Sequence, residues 1–271
     1  HGDLSLLRRY ERARREDLLS LTAATDGCFT VRSEALLAVN SVPQVMVATR
    51  KGNTAVRAGD KLAGMRVIPL VIDGAVLDEA DAAAAAAPGE GPLCEVVPFK
   101  LRRVGIVTTG SEVAGGLIED SFTPVVQAKL AAFGIEMVAH ELPGDDTDDI
   151  VAAIGRVREA GVDLVVCTGG MSVDPDDNTP GAIQRSGAEM VTYGAPVLPG
   201  AMLFVGYYED GTPVLGLPGC VMFAKATILD LVLPRVAAGI RLTREDVVAY
   251  GEGGLCLGCA ECHYPICPFG K

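Results

Sequence analysis

The chain has 271 residues, of which 49% are hydrophobic, and its formal net charge is −12 at pH 7. The hydrophobic fraction allows one large or two medium folded domains and argues against a disordered chain. The negative charge argues against nucleic-acid binding through a broad basic surface, so we expect no nucleic-acid partner.

Neither a membrane span nor an export signal is predicted. No apolar run approaches the roughly 20 residues that cross a bilayer. The start, His1-Gly2-Asp3, resembles no secretory signal, and its missing initiator methionine suggests a fragment or a tag remnant. We therefore expect a cytoplasmic protein in a reducing compartment, where its eight cysteines are not paired as disulfides.

Residues 1–98 are predicted to form an N-terminal helix followed by a small β-rich unit. The apolar spacing from Leu4 to about Ala24 is typical of one amphipathic helix. Short apolar runs then predict strands at residues 44–49, at the start of 56–60, and at 66–72. An alanine-rich helix is predicted at residues 78–87, and the proline- and glycine-rich stretch at 88–92 is the clearest linker candidate.

Residues 99–246 alternate between strand and helix patterns. Strands are predicted at residues 104–109, 135–140, 162–168, 188–192, 203–208 and 213–217, and helices at 124–133, 147–160, 180–185 and 221–238. This alternation predicts an α/β fold with a mainly parallel sheet covered on both faces. In such sheets, ligands bind beyond the carboxyl ends of the strands.

Four loops rich in glycine and polar residues follow predicted strands. They lie at residues 108–121, 143–146, 167–180 and 216–220. In the third loop, Gly169-Gly170 would let a ligand approach the backbone, and the following helix start presents N–H groups to an anion. The neighbouring Asp174, Asp176 and Asp177 suit a divalent cation that bridges them to a phosphate. The loop therefore predicts a phosphorylated ligand with a metal.

Taken in order, these loops resemble the molybdopterin-binding domain family of molybdenum-cofactor biosynthesis. That family includes molybdopterin adenylyltransferase and molybdopterin molybdotransferase. The resemblance covers about Arg103 to Gly239 and is carried by the following segments: Thr109-Gly110-Ser111-Glu112-Val113, Gly116-Leu117-Ile118-Glu119-Asp120-Ser121, Thr168-Gly169-Gly170 and Gly216-Leu217-Pro218-Gly219. Asp177-Asn178-Thr179-Pro180 is similar to the adenylyltransferase type. Met171-Ser172-Val173 and the β-rich first unit are more similar to the molybdotransferase type.

The resemblance implies a three-layer α/β/α domain that binds the pterin, with Mg²⁺ and either ATP or molybdate. The candidate catalytic residues, which would hold magnesium or the reacting phosphates, are Asp145 or Asp146 together with Asp177. The resemblance also implies a homo-oligomer, with a molybdoenzyme or cofactor-pathway protein as a possible partner. It assigns pterin or phosphate contacts to loop residues Thr109, Gly110, Ser111, Glu112, Asp120, Ser121, Gly169, Gly170, Met171, Ser172, Thr179, Pro218, Gly219 and Cys220.

Two departures from the family pattern keep a second function open. Cys220 stands where the family usually has Asn or Ser, and Asp174 and Asp176 make the third loop unusually acidic. A non-catalytic carrier or sensor of molybdopterin or its nucleotide is therefore the alternative to a transferase.

Residues 247–271 form a cysteine-rich tail that is predicted to bind metal. Cys256, Cys259, Cys262 and Cys267 lie within twelve residues, and His263 follows the third of them. The spacing resembles the run of ferredoxins that ends in Cys-Pro, and it also suits zinc held by the four cysteines or by three of them with His263. Both a 4Fe–4S cluster and Zn²⁺ remain open, and the Cys-Pro ending favours the cluster.

Overall fold

The structure, a computed structural model, describes residues 19–172 and 177–271. The chain divides into two units, residues 1–99 and 100–271. Most of the predicted N-terminal helix lies outside the described residues, as do Asp174 and Asp176. Within the described ranges, no helix combines the length and apolar character required to cross a membrane.

The described part of the first unit, residues 19–99, contains two three-stranded antiparallel sheets and two helices. Its elements are β1 (Leu19–Thr22), β2 (Gly27–Val31), α1 (Ser33–Ser41), β3 (Val45–Thr49), β4 (Thr54–Val56), β5 (Lys61–Val67), α2 (Gly74–Ala86) and β6 (Cys94–Pro98). The strand orders are β1-β5-β3 and β4-β2-β6. Val39 of α1 and Leu77 of α2 join Val47 and Met65 in one buried core, so the helices cover the first sheet.

The structure differs from the predictions for the first unit in several places. Leu19–Thr22 is a strand and not the end of a helix, because Leu19 and Leu21 alternate with exposed residues and pack on the core. Helix α1 was not predicted. Residues 88–92 lie inside this unit and do not separate domains, because β6 follows them and pairs with β2 over five residues.

The second unit is built on a six-stranded sheet. Its elements are β7 (Arg103–Thr108), α3 (Ser111–Ala114), α4 (Phe122–Ala131), β8 (Glu136–Glu141), α5 (Thr147–Glu159), β9 (Leu164–Thr168), α6 (Thr179–Arg185), β10 (Glu189–Tyr193), β11 (Phe204–Tyr207), β12 (Pro213–Leu217), α7 (Ile228–Ala237) and α8 (Arg244–Val248), with short 3₁₀ turns at Gly219–Met222 and Ala249–Gly251. The order is β10-β11-β12-β9-β7-β8. Strands β12, β9, β7 and β8 are parallel, and β10 and β11 add antiparallel strands at one side. The prediction of an α/β fold with a mostly parallel sheet is confirmed.

Helices lie on both faces of this sheet. Val107 of β7 belongs to the core formed with Ile150 and Ile154 of α5. The next residue, Thr108, shares a hydrogen bond of 3.0 Å with Thr123 of α4. Because successive strand residues point to opposite faces, α4 and α5 must lie on opposite sides of the sheet.

Helix α7 begins seven residues later than its sequence pattern predicts, at Ile228. Thr227 caps it: its Oγ1 accepts from Leu229 N at 3.3 Å, and Asp230 Oδ2 accepts from Thr227 N at 2.8 Å. This reciprocal capping fixes the helix start. The fourth loop is therefore longer than predicted and runs from Pro218 to Thr227.

The cysteine-rich tail lies within the second unit. Leu255 forms a parallel bridge with Leu198, and Phe269 is buried. The Tyr264 hydroxyl donates to the Asp230 carbonyl at 2.8 Å. The tail is thus attached to α7 and to the connection between β10 and β11.

Candidate functional site

The carboxyl ends of three parallel strands meet in the middle of the second unit. Thr168, the last residue of β9, pairs with Thr108 of β7 on one side and with Leu217 of β12 on the other. The first, third and fourth loops therefore leave the sheet side by side. This is the position at which open α/β sheets bind ligands.

The Gly169-Gly170 pair is required by close packing between the first and third loops. Both glycines have positive φ, at 83° and 52°. A Cβ on Gly169 would lie 2.7 Å from Thr109 Oγ1, and one on Gly170 would lie 2.8 Å from Thr179 Oγ1. The two threonine hydroxyls share a hydrogen bond of 3.0 Å. Side chains at either glycine would therefore break a buried contact between the two loops.

Asp145 joins the second loop to the first. Its Oδ2 accepts hydrogen bonds from Ser111 N at 2.9 Å and from Ser111 Oγ at 2.6 Å. Asn178 Nδ2 of the third loop donates to the Asp145 carbonyl at 3.0 Å, so Asp145 also contacts the third loop. Asp145 is exposed, so its carboxylate lies at the surface where these three loops meet.

Asp146, although adjacent, has a different role. It is the N-cap of α5, and its Oδ1 accepts from Asp148 N at 2.9 Å and from Asp149 N at 3.2 Å. Its carboxylate therefore stabilises the helix start. Of the two acids, Asp145 is the one placed among the loops.

Asp177 fixes the backbone of the third loop. Its Oδ2 accepts from Ser172 N at 2.7 Å. The Tyr193 hydroxyl donates to the carbonyls of Met171 and Ser172, both at 3.2 Å. Burial raises the pKa of Tyr193, and the charge of Asp177 raises it further, so this phenol stays a donor. The Met171 side chain is buried in the core, so only the backbone of this residue is available to a ligand.

Asp120 and Ser121 lie at the start of α4. Asp120 Oδ1 accepts from Phe122 N at 2.9 Å and from Thr123 N at 3.0 Å. Burial acts to raise the pKa of Asp120, but the hydrogen bonds from Thr123 and Phe122 and the nearby His140 outweigh it, so the pKa is lowered. Ser121 Oγ lies 3.4 Å from Met222 Sδ, which connects the first loop to the fourth. Glu112 is exposed on α3.

Sequence reasoning missed a polar cluster around His140. Its Nε2 lies 3.2 Å from Thr108 Oγ1, 3.1 Å from Thr123 Oγ1 and 3.4 Å from Asp120 Oδ2. The pairing of β7 with β8 places His140 opposite Ile106, close to the end of β7. No local motif carries this signal, because the four residues come from β7, α4, β8 and the first loop.

The fourth loop contributes Pro218, Gly219 and Cys220. Cys220 is half-buried in the 3₁₀ turn, and burial raises the pKa of its thiol. Its carbonyl accepts from Phe223 N at 3.1 Å and from Ala224 N at 2.9 Å. The thiol therefore stays protonated near neutral pH, in a turn fixed by its own backbone.

Metal-ligand side chains are dispersed in the part of the chain that the structure describes. No three His, Cys, Asp or Glu side chains there form a group that could hold a single metal ion. None of the eight cysteines forms a disulfide. Cys256, Cys259, Cys262 and Cys267 nevertheless line one cavity of about 260 Å³, together with His263.

Comparison with known proteins gives relatives for part of the chain. CinA-like proteins of Mycobacterium avium (strain 104) and Mycobacterium tuberculosis (strain H37Rv) are 37% and 38% identical to this chain over 90 residues. Those residues make up 33% of this chain and only 21% of each relative, so the shared segment is a small part of the relatives.

Two solved structures can be aligned with about half of the chain. The molybdopterin biosynthesis enzyme MoaB from Thermus thermophilus is 24% identical, with a TM-score of 0.42 and coverage of 51% of this chain and 98% of that chain. The protein CinA from Thermoplasma acidophilum is 18% identical, with a TM-score of 0.38 and coverage of 44% of this chain and 89% of that chain.

A family model described as "Probable molybdopterin binding domain" matches residues 105–238. The match begins in β7 and ends just after α7, so it includes the sheet and all four loops. Residues 105–238 of this chain therefore belong to the molybdopterin-binding domain family of molybdenum-cofactor biosynthesis.

Proposed function

We propose that the second unit binds molybdopterin at the four loops and catalyses Mg²⁺-dependent transfer of an adenylyl group or of molybdate to it. The observation that carries this proposal is the arrangement of Asp145 and Asp177. Asp145 Oδ2 accepts from Ser111 N of the first loop, and Asp177 Oδ2 accepts from Ser172 N within its own loop. Each keeps Oδ1 without a hydrogen-bond donor among residues 19–172 and 177–271.

Two carboxylates suit magnesium better than they suit a metal ion whose ligands all come from the protein. Mg²⁺ is usually held by one or two carboxylates, with water and substrate phosphate oxygens as its other ligands. Asp145 and Asp177 would supply the carboxylates, and Asn178, next to Asp177, donates to the Asp145 carbonyl. When bound, the ion would neutralise the charge of the phosphates.

The remaining residues of the site would position the ligand. In the proposal, the backbone at Gly169-Gly170, Ser172 and Thr109 contacts the pterin or its phosphate. Catalysis would then consist of orientation and charge neutralisation, because transfer between phosphates requires little covalent chemistry from the protein.

A non-catalytic carrier or sensor is the second candidate. Cys220 favours it, because a protonated thiol with a raised pKa forms weaker hydrogen bonds than the Asn or Ser usual in the family. Such a protein would bind the pterin or its nucleotide tightly without changing either.

One experiment separates these functions. The full chain is incubated anaerobically with molybdopterin, ATP and Mg²⁺, and adenylylated pterin and pyrophosphate are measured. Adenylylated pterin with molybdate is then supplied, and AMP release is measured. Either product above a no-protein control supports a transferase. Tight pterin binding with neither product supports the carrier, and no binding at all refutes both.

We also propose that the protein is a homo-oligomer that delivers its product to a cofactor-pathway protein or a molybdoenzyme. Leu117 and Phe223 lie on the first and fourth loops with 81% and 82% of their surface exposed. Large apolar side chains exposed to this extent often mark contact surfaces. Sedimentation at several protein concentrations tests the oligomer, and a monomer throughout would contradict it.

A further inference from the structure

Four cysteines of the tail line one cavity. Cys256, Cys259, Cys262 and Cys267 all contribute to the wall of a cavity of about 260 Å³. Cys256 and Cys267 are partly buried, whereas Cys259 and Cys262 are exposed, and none is in a disulfide. The four cysteines are thus free of disulfides and line the same cavity.

The segment that carries them is fixed at both ends. Cys256 N donates to the Leu198 carbonyl at 2.8 Å, next to the bridge between Leu198 and Leu255. At the other end, Phe269 is buried, and Gly270 N donates to the Gly253 carbonyl at 2.9 Å. The four cysteines therefore lie on a closed loop whose ends meet on the body of the second unit.

The composition of the cavity wall selects the kind of metal. Its other side chains are mostly apolar, with Lys225 and His263 as the basic ones, and no Asp or Glu is found among the described residues that line it. Magnesium and calcium require oxygen ligands, so this wall does not suit them. Thiolates favour zinc, copper(I) and iron–sulfur clusters.

A single ion and a cluster require different spacings between their sulfur ligands. Zinc holds each sulfur at about 2.3 Å, so four tetrahedral ligands would lie only about 4 Å from one another. Within the described residues, no three Cys or His side chains converge in this way. An iron–sulfur cluster carries its cysteines on the outside of a larger body, so it needs thiols arranged around a cavity.

We propose that Cys256, Cys259, Cys262 and Cys267 bind a [4Fe–4S] cluster in this cavity. Binding would release a proton from each thiol, and the positive charge of Lys225 would offset part of the negative charge of the thiolate-bound cluster. The wall includes Ala224, Lys225 and Ala226. These residues end the fourth loop, so the cluster lies next to the segment that carries Cys220.

The test loads the full chain with metal under anaerobic conditions. The protein is incubated with equal amounts of ferrous and ferric iron and with sulfide, so that no external oxidant is needed, and is then desalted. We expect about four irons and four acid-labile sulfides per chain, with a broad visible absorption that dithionite bleaches. Stoichiometric zinc retained in place of iron, or no bound metal, would overturn the proposal.

Variants then identify the ligands. Cys259→Ser and Cys262→Ser change exposed side chains, so the fold, checked by circular dichroism, should persist while the cluster is lost. Two controls should keep it: Cys94→Ala removes a thiol from the first unit, and Glu261→Gln changes an exposed neighbour of Cys262. Full iron content in both serine variants, or equal loss in the controls, would refute the assignment.

Discussion

Asp145 and Asp146 are neighbouring carboxylates with different hydrogen-bond partners. The sequence predicted that one of them serves the ligand site but could not say which. Which of the two serves the site depends on where α5 begins. Asp146 accepts from the first N–H groups of that helix, while Asp145 accepts from Ser111 N of the first loop. A helix start can shift by one residue without changing the sequence pattern, so only the structure separates the two.

The first prediction concerns the proposed magnesium carboxylates. Asp145→Asn and Asp177→Asn remove a negative charge from each residue and keep an oxygen acceptor for the loop N–H. In each variant, we expect Mg²⁺ to have no effect on molybdopterin affinity. In the presence of Mg²⁺, the affinity of the variant should therefore be about tenfold to a hundredfold lower than that of the natural protein, since a charged contact contributes roughly 1.5–3 kcal/mol. Isothermal titration calorimetry with and without Mg²⁺ measures this.

A matched control is Asp149→Asn. Asp149 is an exposed acid in the first turn of α5, close in sequence to Asp145 but outside the loop network. It should retain the full Mg²⁺ dependence. If the variants of Asp145 and Asp177 behave like this control, the two carboxylates only shape the loops.

A second prediction concerns Gly169. Gly169→Ala places a methyl group against Thr109 at a φ of 83°. We expect the free energy of unfolding to fall by at least about 2 kcal/mol, from backbone strain and the forced separation of the first and third loops.

The matched glycine is Gly181, in α6, where an added Cβ would meet no atom within 4 Å. Gly181→Ala should be neutral or stabilising by about 0.5–1 kcal/mol. Urea unfolding followed by circular dichroism compares the two variants. Equal stability of the two variants would mean that the third loop accommodates a Cβ at Gly169 without strain.

At the scale of elements, the strands of the second unit were the most predictable from sequence. All five residues of β9 are buried, because the strand lies between β7 and β12 with helices on both faces. Its apolar run therefore marks a central strand without ambiguity.

Helix α1 was missed because its nine residues lie among short apolar runs, and its helical character depends on packing against α2 and β3.

The N-terminus of α4 yields a prediction about pH. Asp120 accepts from Phe122 N and Thr123 N and also contacts the Thr123 hydroxyl and His140, and its pKa is lowered in the folded protein. A carboxyl with a lowered folded pKa stabilises the fold above its ordinary pKa. That contribution is lost as the pH falls through the folded value, below about pH 4.

Asp120→Asn tests this sign. At pH 7 the variant should be less stable by about 0.5–1 kcal/mol, the usual contribution of an acid at a helix start. The difference from the natural protein should shrink as the pH is lowered from about 5 to 3. Urea unfolding at each pH provides the measurement, and a difference that stays constant with pH would contradict the assignment.

At the scale of the whole molecule, three hydrophobic clusters of the described residues each lie within a single unit. Buried residues of the first unit group around Val39 and Met65 and around Phe29, while one core of the second unit groups around Ile154 and Phe204. We therefore expect residues 100–271, expressed alone, to fold cooperatively and to bind molybdopterin within roughly threefold of the full chain. Calorimetry on both proteins checks this, and a much weaker fragment would show that the first unit contributes to the site.

The closed loop of the tail has a further consequence for how metal and stability are related. In small metal-dependent domains, the ion organises the chain, so chelation unfolds the protein. Here the chain contacts at Gly253 and Gly270 already close the loop, and the entropy of closure is lost when the domain folds. Loading or removing the cluster should therefore move the melting temperature of the second unit only slightly, so the occupancy of the centre can follow the supply of iron without loss of the fold.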